Sequence, residues 1–137
     1  MKKGVLFLAI ISIAFTSCRK ETTYTYIYEN RSGYDILIED YSWEIKYIDI
    51  PNEDEYIDIY IYVDIPKPGY PPFGSSTKVN IIFDNLKVLT WYNRFPYEGI
   101  FGNNYRQVKT GKYSYDMVFT FTSEMYDDAL PIDEQEE

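Results

Sequence analysis

The chain has 137 residues, with 22 acidic against 13 basic side chains, a net charge of −9 and no histidine. That balance repels the phosphates of nucleic acid and favours solubility or a cationic partner. Without an imidazole, Ser-His-Asp and Cys-His catalysis and the usual zinc sites lack a required group.

The first stretch is Lys2 and Lys3, an apolar run from Gly4 to Phe15, then Thr16 and Ser17 before Cys18, the only cysteine. About twelve apolar residues at ~1.5 Å each make a helix of roughly 18 Å, well short of a ~30 Å hydrocarbon core. The run therefore reads as the apolar region of a signal peptide rather than a membrane span. Its layout resembles a bacterial lipoprotein signal, in which a peptidase cuts before a cysteine whose sulfur already carries diacylglycerol; Phe15 stands where Leu is commonest. A free thiol or half of an intermolecular disulfide is the other use of a lone exported cysteine. Thioether formation accounts for a cysteine with no partner. The resemblance implies a signal over residues 1 to 17, a diacylglycerol and an N-acyl chain on Cys18, and stable residence at a membrane through this lipid anchor. Arg19 is not the Asp that retains such proteins in the inner membrane of enteric bacteria, so the outer membrane is expected, with its face left open.

Cleavage before Cys18 takes Lys2 and Lys3 away and leaves 120 residues with a net charge of −11. That length suits one domain with a real core. Residues 18 to 23 read as the lipidated cysteine and a short linker, 24 to 130 as the domain and 131 to 137 as an acidic, disordered tail. Sixteen tyrosines and eight phenylalanines, with frequent Ile and Val, are the composition of strands.

Tyr24 to Glu29 and Tyr34 to Asp40 alternate with period two around Asn30-Arg31-Ser32-Gly33 and read as a hairpin. A third strand runs from Trp43 to Ile48. Residues 57 to 65 give the clearest strand, with Ile57, Ile59, Ile61, Val63 and Ile65 on the presumed core face, and Asp58, Tyr60, Tyr62 and Asp64 opposite. Residues 66 to 77 hold four of the seven prolines and form an irregular loop. Val79 to Phe83 and Lys87 to Tyr92 form a second hairpin about Asp84-Asn85-Leu86. A loop over 93 to 111 follows, with a short strand around Tyr105 to Val108. The last strand, Lys112 to Phe121, puts Tyr113, Tyr115, Met117, Phe119 and Phe121 on one face. Thr122 or Ser123 then starts a short helix that Pro131 ends. About seven short strands at regular spacing with a C-terminal helical turn predict an all-β, antiparallel β-sandwich, Ig-like or related. No cysteine pair brackets a tryptophan, so a true immunoglobulin domain is not supported.

Three stretches, Tyr26 to Ile36, Val79 to Asp84 and Tyr115 to Tyr126, resemble small envelope lipoproteins of Bacteroides-type bacteria. The resemblance implies a β-rich envelope domain and brings no catalytic residues with it.

Chemistry is scarce. Ser75-Ser76-Thr77-Lys78 fits S-x-x-K and Lys109-Thr110-Gly111 fits K-T-G, two signatures of penicillin-recognising enzymes, but Lys78 leads into a strand where those enzymes need a helix, and no S-D-N is present. Asp58 and Asp64 are too far apart along one strand to act as a glycosidase pair. Asn52-Glu53-Asp54-Glu55 offers hard oxygens for calcium without EF-hand spacing, and a solvated turn is its ordinary reading. The main functional signal is the aromatic surplus: Tyr60 and Tyr62 opposite the isoleucine row, with Tyr70, Phe73, Trp91, Tyr92, Phe95 and Tyr97 in or beside the long loops. Exposed rings of this kind stack on sugars or anchor a protein partner; buried ones merely cover the sheet. The leading expectation is a non-enzymatic structural or protein-interaction module, with glycan binding as the alternative.

Overall fold

The computed structural model describes residues 20–63 and 72–134. The described residues fold as an all-β sandwich with one short α-helix. In order come β1 (Glu21–Arg31), β2 (Ile36–Tyr41), β3 (Ile45–Ile50), β4 (Glu55–Val63), β5 (Lys78–Phe83), β6 (Lys87–Tyr92), β7 (Arg106–Gly111), β8 (Ser114–Thr122), α1 (Ser123–Asp128) and β9 (Leu130–Pro131). A four-stranded sheet, β4-β1-β8-β7, packs on a five-stranded one, β3-β2-β5-β6-β9. The pairs are antiparallel except β1 with β8, which run parallel through the centre of the smaller sheet. Nine strands stand among the described residues where about seven were expected; the short strand expected around Tyr105 to Val108 is β7, and the two-residue β9 is the shortest of them.

β1 and β2 do not form the expected hairpin. They belong to different sheets, and Asn30-Arg31-Ser32-Gly33 carries the chain across the sandwich. Asn30 is fully buried, and all its side-chain hydrogen-bonding capacity is spent on that corner. Its amide donates to the carbonyls of Tyr34 at 2.7 Å and Ile50 at 2.8 Å. Its Oδ1 accepts from the Ser32 amide at 3.1 Å and the Ser32 hydroxyl at 2.7 Å. A four-residue link between alternating segments reads locally as a hairpin; only a buried side chain tying it to β3 makes it a crossover.

The face assignment of β4 is the reverse of the expectation. Ile57, Ile59, Ile61 and Val63 are 47, 60, 62 and 40 % exposed, while Tyr56, Tyr60 and Tyr62 pack against the core. Ile65 lies outside the described residues. The cause is the neighbouring strand. β1 turns Tyr24, Tyr26 and Tyr28 inward, and its register sets Tyr24 beside Tyr60 and Tyr28 beside Tyr56. Residues directly opposite across a ladder share a face, so β4 must present its tyrosines to the core and its aliphatics to the outside. Edge-to-face ring contacts follow, Tyr26 with Tyr60 at 5.7 Å and Tyr24 with Tyr62 at 5.6 Å.

The rest of the core meets expectation more closely. Ile36 and Ile38 of β2, Val79, Ile81 and Phe83 of β5, and Phe119 and Phe121 of β8 are buried between the sheets. Asp84 and Asn85 join β5 to β6 with φ of 48° and 56°, and the Leu86 amide donates to the Phe83 carbonyl at 2.9 Å. Two consecutive left-handed residues are the turn whose twist suits a hairpin. The helix spans Ser123–Asp128 with Thr122 before it. After it Leu130 pairs with Val88 and Pro131 with Lys87, so part of the expected tail extends the larger sheet; residues 135 to 137 lie outside the described residues.

A core built of tyrosine must place hydroxyls as well as rings. Tyr28, fully buried, lies with its hydroxyl 3.1 Å from that of Tyr105, which donates to the Ile100 carbonyl at 2.9 Å. Tyr105 has one proton and gives it to Ile100, so Tyr28 is the donor to Tyr105. Tyr105→Phe therefore leaves a buried donor and a buried carbonyl unpaired, and is expected to cost about 1–3 kcal/mol. Tyr28→Phe removes one donor and orphans nothing, costing about 1 kcal/mol. Urea midpoints of the two variants give the order directly; equal costs would mean that the hydroxyl chain does not exist in solution.

Candidate ligand face

The eight aromatic candidates separate cleanly. Tyr60 and Tyr62 face inward, as described. Phe73, 2 % exposed, stands edge-on to Tyr28 at 5.4 Å. Trp91 is buried against Phe119 and Phe121 at 5.8 and 6.5 Å, and its indole lies so close over Gly99 that a Cβ there would fall 2.1 Å from the ring. These four are corrections: each serves the core, because loop and strand aromatics close the open ends of the sandwich. Tyr70 and Cys18 lie outside the described residues. Tyr92, Phe95 and Tyr97 are exposed, and Phe95 meets Tyr97 edge-on at 6.3 Å.

Those three sit at one end of the larger sheet, and the structure adds others there. Trp43, between β2 and β3, is 100 % exposed, with Ile45 and Tyr47 exposed behind it. The outer face carries two adjacent rows. The first crosses four strands as Ile45, Tyr41, Lys78 and Tyr92. The Lys78 ammonium lies 4.2 Å over the Tyr41 ring, and the Arg94 guanidinium 4.8 Å over Tyr92. The second row is Tyr47, Glu39, Asn80 and Thr90. Thr90 Oγ1 donates to Asn80 Oδ1 at 2.9 Å, and Asn80 Nδ2 donates to Glu39 Oε2 at 2.9 Å. Tyr41 also donates to that Glu39 oxygen, at 3.1 Å. Partial burial, then the Glu39 carboxylate, hold the Tyr41 hydroxyl above the ordinary tyrosine range. Beside these rows Thr90, Tyr92, Arg94, Pro96 and Glu98 line a shallow hollow of about 160 Å³.

The face thus combines ring surfaces with a fixed line of carboxylate, amide and hydroxyl, on strands that cannot easily move. Trp43, Tyr41 and Tyr47 are site residues absent from the sequence candidates, since they lie outside the two long loops; the signal for them is Trp43-Glu44-Ile45-Lys46-Tyr47, whose alternation puts every second residue on one face.

Other chemistry is spent on structure. Lys78 opens β5, whereas Lys109–Gly111 belong to β7 of the opposite sheet, so the S-x-x-K and K-T-G segments do not converge. Ser76, buried, donates its hydroxyl to buried Asp40. In the calcium candidate, Asn52 Oδ1 accepts the Gly33 amide at 3.0 Å and Asp54 Oδ1 the Glu55 amide at 2.8 Å. Asp35, Asp49 and Asp84 border a hollow of about 300 Å³, where Asp84 Oδ1 accepts the Asp35 amide at 2.8 Å and Asp35 Oδ1 the Asn52 amide at 2.9 Å. Among the described residues no three acidic side chains converge as a metal ligand set, and no helix is long and apolar enough to cross a membrane. Comparison of the chain with protein-family models, with curated proteins and with solved structures finds no match.

Proposed function

We propose that the protein is a lipid-anchored, non-enzymatic binding module of the bacterial outer membrane, held by acylated Cys18, that takes its ligand on the outer face of the five-stranded sheet. The observation that carries this is the concentration of exposed aromatics, Trp43, Tyr47, Tyr92, Phe95 and Tyr97, around one end of that face. Large rigid rings with polar tips are the residues on which binding energy concentrates. Of the two ligand classes open to such a surface, the Glu39, Asn80 and Thr90 row favours a saccharide: sugar hydroxyls both donate and accept, while their C–H faces stack on rings. A protein partner is the second reading, supported by the exposure of Ile45 next to Trp43.

The test is a glycan array probed with the purified protein, alongside Trp43→Ala and Tyr92→Ala variants. A hit whose affinity falls about tenfold or more in each variant, roughly 1.4 kcal/mol or greater, supports the saccharide reading. An empty array together with a crosslinked envelope protein lost in the same variants favours the protein reading. Binding indifferent to both substitutions would sink the assignment of the face. Anchoring is tested separately: labelled palmitate should appear on the wild type and be absent from Cys18→Ser.

A further inference from the structure

The opposite face of the sandwich carries the least expected feature of the molecule, four aliphatic side chains at 40 to 62 % exposure on the edge strand β4. We propose that this row lies against the lipid bilayer, so that the domain reclines on the membrane that holds it; the proposal rests on the reading of Cys18 as acylated.

The length of chain before the domain supplies the argument. Only Arg19 and Lys20 separate Cys18 from Glu21, the first residue of β1, three Cα–Cα steps that reach at most about 10 Å. Glu21 pairs with Val63, so the aliphatic row begins beside the anchor point. From Val63 the row continues through Ile61 and Ile59 to Ile57, about 20 Å at the usual strand rise. A tether this short keeps the domain at the bilayer surface, and the apolar face nearest the tether is the one whose contact with the interface removes hydrocarbon from water. Ile27, half-buried on β1 beside Ile57, widens the row at its far end. Asp116 lies on β8, two strands from β4, and confines the contact to the β4 side.

A second copy of the chain is the competing occupant, and the edge is built against it. The Asn30 amide bonds the Asp54 carbonyl, which turns the backbone groups of even-numbered β4 residues toward β1 and those of odd-numbered ones toward the open edge. Two of the outward amides are capped from within the strand's own sequence: Asp54 Oδ1 accepts from Glu55 at 2.8 Å, and Asp58 Oδ1 accepts from Ile59 at 3.0 Å. Capped amides and inward-set carboxylates oppose strand addition. With β4 on the bilayer, the aromatic face of the other sheet points away from it, open to a ligand.

Because the sulfur of Cys18 carries lipid, one introduced cysteine gives a unique labelling site. Full-length acylated Ile59→Cys, Ile61→Cys and, on the opposite face, Tyr47→Cys proteins would each carry an environment-sensitive fluorophore in phosphatidylethanolamine–phosphatidylglycerol vesicles containing doxyl-labelled lipid. The expected result is strong quenching at positions 59 and 61, at least several-fold greater than at 47. Equally weak quenching at all three would overturn the proposal, and so would quenching at 59 and 61 that follows protein density and ignores the doxyl lipid, which would indicate a second copy. A thiol-reactive wild-type chain would remove the premise itself, a failure of the acylation reading that mass analysis separates from the other outcomes.

Discussion

Ile38→Asp is expected to abolish folding, Tyr60→Asp to weaken the fold severely, and Ile61→Asp to leave it nearly unchanged. Ile38 is fully buried between the sheets, so a carboxylate there has no solvent and must either ionise unpaired or take up a proton; either costs several kcal/mol against a total of ~5–15. Tyr60 is half-buried, stands edge-on to Tyr26 at 5.7 Å and donates to Asp58 at 3.3 Å. Its replacement removes that ring contact and sets a second carboxylate two residues from Asp58 on the same face, a loss of about 2–4 kcal/mol. Ile61, one residue along, is 62 % exposed, and a charge added there should move stability by no more than about 0.5 kcal/mol. Urea unfolding of the detergent-solubilised proteins ranks the three. If Ile61→Asp proves as damaging as Tyr60→Asp, the outward placement of the aliphatic row is wrong, and the membrane contact inferred from it fails as well.

That ordering also locates where the sequence can and cannot be read. The alternation over residues 57 to 63 fixed a strand with two unlike faces, and β4 is that strand. Which face goes inward was not legible, because hydrophobicity ranks isoleucine above tyrosine, while the decision belonged to the register with β1 and its inward column Tyr24, Tyr26 and Tyr28. A pairing partner 36 residues away leaves no local trace. The crossover at Asn30 was hidden for the same reason: Asn-x-Ser-Gly is good turn chemistry for a hairpin, and only the bonds from Asn30 to Tyr34 and Ile50 assign it to a corner. By contrast β8 and the β5–β6 hairpin were readable, since Tyr115, Met117, Phe119 and Phe121 alternate within one strand and Asp84-Asn85 is a turn closed on itself. For the ligand face, Tyr92, Phe95 and Tyr97 are legible from composition, whereas the burial of Trp91 beside them depends on Gly99 lying beneath its ring, a contact that leaves no local pattern.

The tyrosine core makes a second large effect, in alkali. Burial, ahead of the neighbouring hydroxyls and carboxylates, raises the ionisation of Tyr24, Tyr56 and Tyr62 above the usual value of 10.0, pushes Tyr26 and Tyr60 up to about 12, and holds Tyr28 and Tyr105 higher still. A phenol whose folded pKa exceeds its unfolded one keeps its proton in the native state at a pH where the unfolded chain has released it. The unfolded state then binds fewer protons, so the stability of the fold declines with rising pH. Below pH 10 the contribution is fully present; it is lost as the pH rises through 10 toward 12 and beyond. Because several phenols act in the same direction, the protein should unfold cooperatively within that window. The buried rings would then ionise together with the loss of structure rather than before it. Phenolate absorbance and far-ultraviolet circular dichroism recorded on one titration should therefore change at one midpoint. Tyr26→Phe removes one of these groups and should move that midpoint to higher pH. Smooth ionisation of all the tyrosines near pH 10 with the strand signal intact would show that their rings are not held in a dry core.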